Sequence, residues 1–374
     1  MFRLNMLIDF VSSPILMFFI VALLGMLLGK IKIKNITLGL AGVLGVSLLM
    51  GSILGVLNAS TVIDFKNTIS QLNMSYSFLA SLGSALFISV IGINAGTIFI
   101  GGNIKRKMRA LCGGALIVSI GGLCTAILSF VCSSTPKSLM LGAFAGGMTS
   151  TPTLALVSEL VGDNSLPAAG YGAAYCPGLL CTVVVTQLLL YKEIIRTEMP
   201  EQKQESNHAK KVSCLFGVLF TAIVGTLVGA IIPIGTSGGI LLIGIAFGYI
   251  CNKIGIVFTS SNDIRDMGLI MFLIGKGVPA GIELSNGLDV KIFLVGFLIP
   301  VLSVLIGYIV NRKVLRFTNA EAVSVICGGM TSTPAFGVIK QKHTGADSVL
   351  YSISYAGALI ALVLWVQILN IIMQ

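Results

Sequence analysis

The chain has 374 residues, of which 55% are hydrophobic and only 10% are charged, and its mean hydropathy is +0.99. Soluble domains carry about 25% charged residues, so this composition excludes a water-soluble body and predicts an integral membrane protein in contact with the lipid bilayer. The net charge of +10 is no evidence for an anionic substrate, because lysine and arginine accumulate in cytoplasmic loops whatever the protein carries. No nucleic-acid partner is expected.

The apolar stretches follow one another along the chain in two sets of six. The first set comprises Ile15–Leu28, Ile36–Leu57, Phe78–Ile100, Ala110–Cys132, Leu139–Leu160 and Ala168–Tyr191. The second set comprises Cys214–Ile234, Ile240–Cys251, Met267–Ile282, Ile292–Val310, Ala322–Ile339 and Val349–Met373. A polar segment rich in charge and glutamine separates them, which is typical of a solvated linker. The pattern predicts a first transmembrane repeat over residues 1–191, a cytoplasmic linker over 192–211 and a second repeat over 212–374.

The two sets repeat each other in sequence. In the third stretches, LGSALFISVIGINAG at residues 82–96 is matched 185 positions later by MGLIMFLIGKGVPAG at residues 267–281. In the fifth stretches, Gly-Gly-Met-Thr-Ser-Thr-Pro occurs unchanged at residues 146–152 and again at residues 328–334. A heptapeptide repeated in order with the other matches indicates a tandem duplication.

The distribution of lysine and arginine predicts the topology. Five segments carry most of the basic residues: Lys30–Lys34, Lys105–Arg109, the linker, Lys253–Arg265 and Arg312–Arg316. If all twelve stretches crossed the membrane, the linker would lie on the side opposite to the first two basic loops, against the positive-inside rule. The conflict disappears if each GGMTSTP stretch enters the membrane and returns on the same side.

We therefore predict an all-α polytopic membrane protein made of two inverted repeats. Each repeat has about five transmembrane helices plus one re-entrant or broken helix that carries GGMTSTP; the sequence leaves open which of the two it is. Five crossings in each half insert the second half upside down, the architecture of many secondary transporters. The N-terminus and the C-terminus are expected outside, with the linker in the cytoplasm.

The GGMTSTP segments are the candidate substrate site. Glycine loosens a helix and proline breaks it, and Thr-Pro is a helix-start signal that places Thr151 or Thr333 at the N-cap. Two such tips, meeting near the membrane midplane, would offer hydroxyls, free N–H groups and helix-dipole ends to a carboxylate. The expected binding residues are Gly147, Thr149, Ser150, Thr151, Pro152, Gly329, Thr331, Ser332, Thr333 and Pro334. The alternative is that these hydroxyls bond back to their own helices and the prolines only kink them.

Three further sets of polar side chains lie within apolar stretches. Lys276, whose repeat partner is Ile91, is expected either to contact the substrate or to extend its ammonium to the interface. Asn94 is a weaker candidate for a second contact. Each half also has one pair of tyrosines spaced i, i+4, and these pairs either line the cavity or form an interfacial belt: Tyr171 and Tyr175, and Tyr351 and Tyr355.

No sequence motif indicates an enzyme. It contains no Walker A, GxSxG or HExxH sequence, and no cluster of cysteine and histidine residues that would bind a metal. No cofactor is expected, although H+ or Na+ as a coupling ion stays open.

The duplicated LG…F…G…AG, GG-x-T-x-TP and YG…Y patterns resemble the aspartate:alanine exchanger family and its uncharacterised bacterial relatives over nearly the whole chain. This resemblance implies a bacterial inner-membrane antiporter for amino acids or carboxylates, with inverted repeats and an external N-terminus. Typical relatives carry a large cytosolic regulatory domain between the halves, whereas this chain has only residues 192–211 there. Regulation through such a domain is therefore not implied.

The resulting functional hypothesis is a secondary transporter of a small organic anion, an amino acid or dicarboxylate, that works by alternating access. Its core would move against a scaffold that is compatible with a homodimer. A cation/proton antiporter with a similar broken-helix core is one alternative, although it would normally need buried carboxylates that are scarce here. A membrane subunit that does not transport is the other.

Topology gives the first testable prediction. Cysteine-accessibility labelling in intact cells and in inverted vesicles is expected to place Lys30–Lys34, Lys105–Arg109 and the linker on the cytoplasmic side, because basic loops stay there. Labelling of the linker from outside would show that the GGMTSTP stretches cross the membrane and that the repeats are parallel.

Overall fold

The computed structural model describes residues 13–33, 36–37, 39–59, 66–97, 103–162, 165–190, 210–232, 235–259, 261–285, 290–332, 335–336 and 347–373. The helices among them are α1 (Pro14–Gly29), α2 (Ala41–Ala59), α3 (Lys66–Thr97), α4 (Ile104–Val131), α5 (Lys137–Gly147), α6 (Thr151–Val161), α7 (Leu166–Leu190), α8 (Cys214–Ile231), α9 (Gly235–Lys253), α10 (Ser261–Leu284), α11 (Val290–Lys313), α12 (Asn319–Gly329) and α13 (Ser348–Ile372). Most of the predicted linker, together with Thr333 and Pro334, lies outside the described residues.

Four short strands accompany the helices. Strand β1 (Lys32–Ile33) pairs antiparallel with β2 (Ile36–Thr37), and β3 (Lys210–Ser213) pairs parallel with β4 (Ile256–Thr259). The predicted stretch Ile36–Leu57 is thus not one helix, because α2 begins only after Gly39, whose φ of 56° is left-handed. The described part is otherwise helical, which confirms the predicted all-α class.

A multi-pass membrane protein is evident from helix length and composition. In lipid, helices satisfy every backbone donor and acceptor internally. Among the described residues, seven helices are long and apolar enough to span a bilayer: α3, α4, α7, α8, α9, α11 and α13. Helices α1 and α2 are apolar over shorter lengths, and α10 has charged residues in its first two turns.

The helices pack into two groups. Helices α1–α3 and α8–α10 pack on one another and form what we call the wall bundle. Helices α4–α7 and α11–α13 form the second group, the hairpin bundle, which contains both GGMTSTP segments. Contacts between the bundles are made mainly by α7 with α10 and by α6 with α9. The site described below lies along this boundary.

The first GGMTSTP segment forms a hairpin that enters and leaves at the same end of the molecule. Helices α5 and α7 run side by side in the same direction, since a side chain at Gly142 would overlap the backbone of Pro167 and one at Gly146 would overlap that of Tyr171. The intervening α6 therefore returns from the tip towards the end at which α5 begins.

The described helices on either side of the second segment, α12 and α13, also begin at one end. Arg106, at the start of α4, donates hydrogen bonds to Glu321 (2.5 Å) and to Asp347 (2.8 Å). Glu321 lies in the first turn of α12, and Asp347 is the N-cap of α13 and accepts from the N–H groups of Val349 and Leu350. Since α12 leads to the second tip and α13 is the next described helix after it, one arginine joins the starts of the helices on either side of that tip. We call this the Arg106 end of the molecule.

Repeat-related helices of the two halves lie against each other. A side chain at Gly83 of α3 would overlap the backbone of Gly268 of α10, which is its partner at the 185-residue offset. Further along α10, Gly275 packs on Tyr76 and Ala80, so the two helices are antiparallel. This is the local packing that an inverted repeat requires; the insertion of the two halves in opposite senses stays a prediction.

The Arg106 cluster gives a prediction about stability. Arg106→Gln is expected to lower the free energy of unfolding by about 1–3 kcal/mol, because two partly buried carboxylates lose their shared donor. The apparent melting temperature in detergent measures the effect. Lys105→Gln is the matched control, since it removes an exposed cation one residue away and should change stability by less than about 0.5 kcal/mol. Equal melting temperatures for the two variants would contradict the prediction.

Candidate functional site

The first hairpin breaks at Met148–Ser150. Helix α5 ends at Gly147, and Thr149 then adopts a left-handed φ of 53°, which is unfavourable for a β-branched residue. Its N–H donates to the carbonyl oxygen of Gly146 (2.8 Å), and the N–H of Ser150 donates to that of Ala145 (2.9 Å). These bonds hold the last turn of α5 while the chain reverses.

The second hairpin breaks in the same way. Thr331 has a φ of 50°, its N–H donates to Gly328 (2.9 Å), and the N–H of Ser332 donates to Cys327 (2.9 Å). The two copies of GGMTSTP thus form the same backbone turn at equivalent positions, as far as Ser332.

The two tips are joined by reciprocal hydrogen bonds. The Thr149 hydroxyl donates to the carbonyl oxygen of Met330 (2.5 Å), and the Thr331 hydroxyl donates to that of Met148 (3.1 Å). All four residues are nearly or fully buried. We call this arrangement the tip clasp. It gives the two threonines a role between the tips that the sequence did not indicate, although each hydroxyl oxygen can still accept a bond from a ligand.

The predicted N-cap of the returning helix is wrong by one residue. Ser150, with φ −103° and ψ 98°, occupies the N-cap position of α6, and Thr151 is the first helical residue. The Ser150 hydroxyl accepts from the Thr153 hydroxyl (2.7 Å). Thr151 instead shares a hydrogen bond with the Tyr171 hydroxyl (3.0 Å). The Thr151 hydroxyl therefore does not cap α6, and its hydrogen bond to Tyr171 directs it towards the site.

A cavity of about 520 Å³ lies between the bundles at the tips. The hairpin bundle contributes its polar wall, which comprises Thr149, Thr151, Pro152, Tyr171, Tyr175, Thr331, Ser332, Tyr351, Ser352 and Tyr355. The wall bundle contributes a mostly apolar face, which comprises Leu40, Leu44, Phe87, Ile91, Asn94, Ala95, Arg265, Asp266, Leu269 and Leu273 beside Gly39. The structure thus brings together Asn94, all four tyrosines and both tips.

Four of the predicted site residues that the structure describes do not line this cavity: Gly147, Ser150, Gly329 and Lys276. Gly147 and Gly329 are buried, and a side chain at these positions would press on Ile299 of α11 and on Ile117 of α4, respectively. Lys276 is only 7% exposed and lies on α10 beyond the cavity wall. Burial of this lysine within the protein is contrary to extension towards an interface.

An ion pair at the cavity was missed by the sequence analysis. Arg265 had been placed in a basic loop, but it lies on α10, where its guanidinium contacts the carboxylate of Asp266 at 2.7 Å. The side chains of Arg265 and Asp266 are 37% and 45% exposed to solvent, so the cavity is open at this end. Arg265, Leu269 and Leu273 share one helical face by their spacing, and that periodicity could have identified the arginine.

The cavity opens towards the Arg106 end. Tyr351, Ser352 and Tyr355, which line it, lie in the first two turns of α13, and this helix begins at the Asp347 that pairs with Arg106.

The molecule is closed at the opposite end, which we call the Glu159 end. Glu159, in the last turn of α6, accepts hydrogen bonds from the N–H groups of Thr236 (2.5 Å) and Ser237 (2.8 Å) at the start of α9. A carboxylate at a helix N-terminus is favoured by the unpaired N–H groups and the helix dipole. Between this contact and the tips, residues of α3, α6, α9 and α13 leave a void of only about 10 Å³.

Comparison with known proteins places this fold in a family. A family model described as the membrane region of a predicted permease, and named for aspartate–alanine exchange, matches residues 17–191 and 216–371, one segment in each half. A protein of Dichelobacter nodosus, named provisionally as a transport protein, is 31% identical over 50% of this chain and 34% of its own length. Uncharacterized transporters of Desulfotalea psychrophila and Rhodopirellula baltica are 29% and 30% identical over 53% and 48% of this chain. These alignments cover 33% and 30% of those two transporters, so the chain matches about a third of each relative.

The tip clasp yields a prediction. Thr149→Val and Thr331→Val keep the β-branched shape but remove the hydroxyl, and each is expected to cost about 0.5–1.5 kcal/mol of stability. The losses should not add in the double variant, because the two bonds close one contact. Melting temperatures in detergent measure them. Thr182→Val is the control, since that hydroxyl bonds only within its own helix, to Gly178 (2.8 Å). A double variant as stable as Thr182→Val would show that the clasp does not hold the tips together.

Proposed function

Because this chain belongs to the aspartate:alanine exchanger family of membrane permeases, we propose that it is a secondary transporter that exchanges small organic anions, an amino acid or a dicarboxylate, across a bacterial inner membrane. One observation carries the proposal. Both hairpin tips, one from each half, contribute hydroxyls to a single cavity of about 520 Å³. That volume lies within the range of about 300–1,000 Å³ that is usual for small-molecule sites.

The chemistry of the cavity suits a carboxylate. Thr151 lies in the first turn of α6, whose N-terminus carries unpaired N–H groups and the positive end of a helix dipole. Across the cavity, Arg265 presents the planar donor fork that binds carboxylates in a bidentate manner. Asp266 now occupies part of that fork, so an incoming carboxylate would compete with it or bind beside it.

The packing supports alternating access. Few helices join the bundles, and the cavity is exposed at Arg265 and Asp266 while the route past the tips is closed by Glu159 and by the tight layer beneath it. We take this as one of two conformations. In the other, the hairpin bundle with its two tips would have moved against the wall bundle, and the Glu159 contact would be broken.

A cation/proton antiporter is the second candidate, and Asp266 is the observation that favours it. Among the described residues that line the cavity it is the one carboxylate. Its ion pair with Arg265 weighs against cation binding, because the neighbouring positive charge repels a second cation. Exchange of anions therefore accounts better for the site as a whole.

Exchange assays in proteoliposomes test the proposal. Vesicles loaded with aspartate, alanine or succinate are expected to take up labelled aspartate or succinate faster than vesicles without internal substrate. Arg265→Gln should raise the KM for the labelled anion about tenfold or more, because a charge-assisted contact is lost. Lys253→Gln removes an exposed cation at the end of α9 and serves as the control for net charge.

Asp266→Asn distinguishes the substrate classes. A dicarboxylate should bind more tightly to this variant, because Arg265 is released from its partner, whereas a zwitterionic amino acid that uses Asp266 for its ammonium should bind more weakly. Equal uptake with and without internal substrate would contradict exchange. Proton-driven cation flux that disappears in Asp266→Asn would favour the second candidate.

A further inference from the structure

The cavity occupies only one half of each of two paired helices. Its lining residues on α3 are Phe87, Ile91, Asn94 and Ala95, in the last three turns before Thr97. Its lining residues on α10 are Arg265, Asp266, Leu269 and Leu273, in the first turns after Ser261. Because α3 and α10 are antiparallel, both sets lie towards the Arg106 end, and the remaining halves of both helices lie beyond the tips.

The 185-residue offset relates the residues of α3 that line the cavity to residues of α10 that do not. It likewise relates the lining residues of α10 to residues of α3 that do not line it. At the 185-residue offset, Ile91 corresponds to Lys276, and Leu273 corresponds to Ile88. Ile91 and Leu273 line the cavity, whereas Lys276 and Ile88 do not, and both of the latter are buried. Each pair therefore has one member in the cavity and one member buried beyond it.

Lys276 lies on the helix face that the cavity residues of α10 define. It follows Arg265, Leu269 and Leu273 at spacings of eleven, seven and three residues, which bring these side chains to one side of a helix. Its neighbours Gly275 and Gly277 pack on α3 and α2, respectively. The stripe that begins with Arg265 at the open end thus continues to Lys276, one turn past Leu273, the last residue of α10 that lines the cavity.

We propose that Lys276 lines the substrate cavity in the opposite conformation, open at the Glu159 end, and supplies the fixed cation for the anion there, as Arg265 does at the Arg106 end. The inference rests on the proposed function. In inverted-repeat transporters the two halves surround one central site, and access alternates by movement of one set of helices against the other. When the halves exchange conformations, each residue takes the environment of its repeat partner, so Lys276 takes that of Ile91.

The exchange has a consequence for substrate affinity on the two sides. Loading from the Arg106 end would depend on the Arg265 fork, which is geometrically selective, and loading from the Glu159 end would depend on a lysine, which acts as a compact point charge. Recognition of the same anion would therefore be more permissive at the Glu159 end. The repeat partner of Arg265 is Ala80, so no second arginine would stand beside Lys276 in the cavity open at the Glu159 end.

Thiol labelling from each side of the membrane tests the inference without reference to any substrate. Single cysteines at positions 91, 273, 88 and 276 of the full-length, otherwise cysteine-free chain would be exposed to a membrane-impermeant methanethiosulfonate reagent, in intact cells and in inverted vesicles. Ile91→Cys and Leu273→Cys are expected to react from one side, and Ile88→Cys and Lys276→Cys from the other. Ile93→Cys and Val278→Cys are a matched control pair at the same offset, because both residues are fully buried and neither lines the cavity.

The outcomes separate the two proposals. Suppose that Ile88→Cys and Leu273→Cys are labelled from opposite sides, but Lys276→Cys is labelled from the same side as Ile91→Cys or is not labelled at all. The assignment of Lys276 is then overturned and alternating access stands. If Ile88→Cys and Leu273→Cys react from one side only, alternating access fails and the inference fails with it.

Kinetics provide a second measurement that does not need the cysteine-free chain. Lys276→Met should raise the KM for labelled anion supplied at the Glu159 end about tenfold, with little change at the other end, and Lys276→Arg should restore it. A rise of equal size from both ends, or no rescue by arginine, would overturn the proposed role.

Discussion

A helix that stops inside a membrane leaves backbone groups without partners, and the architecture of this protein depends on how that problem is solved. Each unpaired carbonyl or N–H costs several kcal/mol in hydrocarbon, so a broken helix is tolerated only where other protein groups or water complete its bonds. Here the two breaks complete each other. The Thr149 hydroxyl binds the carbonyl of Met330 and the Thr331 hydroxyl binds that of Met148. The two halves are thereby joined by hydrogen bonds at the positions where each helix is broken.

The same constraint shapes the cavity. Because the tips must meet, their remaining hydroxyls and the N-terminus of α6 converge on one volume, and the apolar wall bundle closes it from the other side. Charge enters that volume through Arg265 and Asp266 alone among its described lining residues.

The polar contacts at the two ends are built differently. At the Arg106 end a part-buried ion-pair cluster joins the starts of α4, α12 and α13 within one bundle. At the Glu159 end a carboxylate joins α6 of the hairpin bundle to α9 of the wall bundle. Movement of one bundle against the other, as the proposed mechanism requires, would leave contacts of the first kind intact and would break a contact of the second kind.

The sequence by itself determined the membrane class, the duplication and the place at which each hairpin breaks, because hydropathy, identity between the halves and the Gly-Gly and Thr-Pro signals are local properties of the chain. It also indicated Asn94, Thr151 and the four tyrosines, which the structure places at one cavity. Only the tertiary structure decided that Ser150 rather than Thr151 caps α6, that Thr149 and Thr331 bind the opposite tips, and that Arg265 faces the cavity while Lys276 is buried. The physical reason is distance along the chain: the tip clasp pairs residues 181 and 183 positions apart, and no periodicity within a helix specifies which remote carbonyl a hydroxyl will meet.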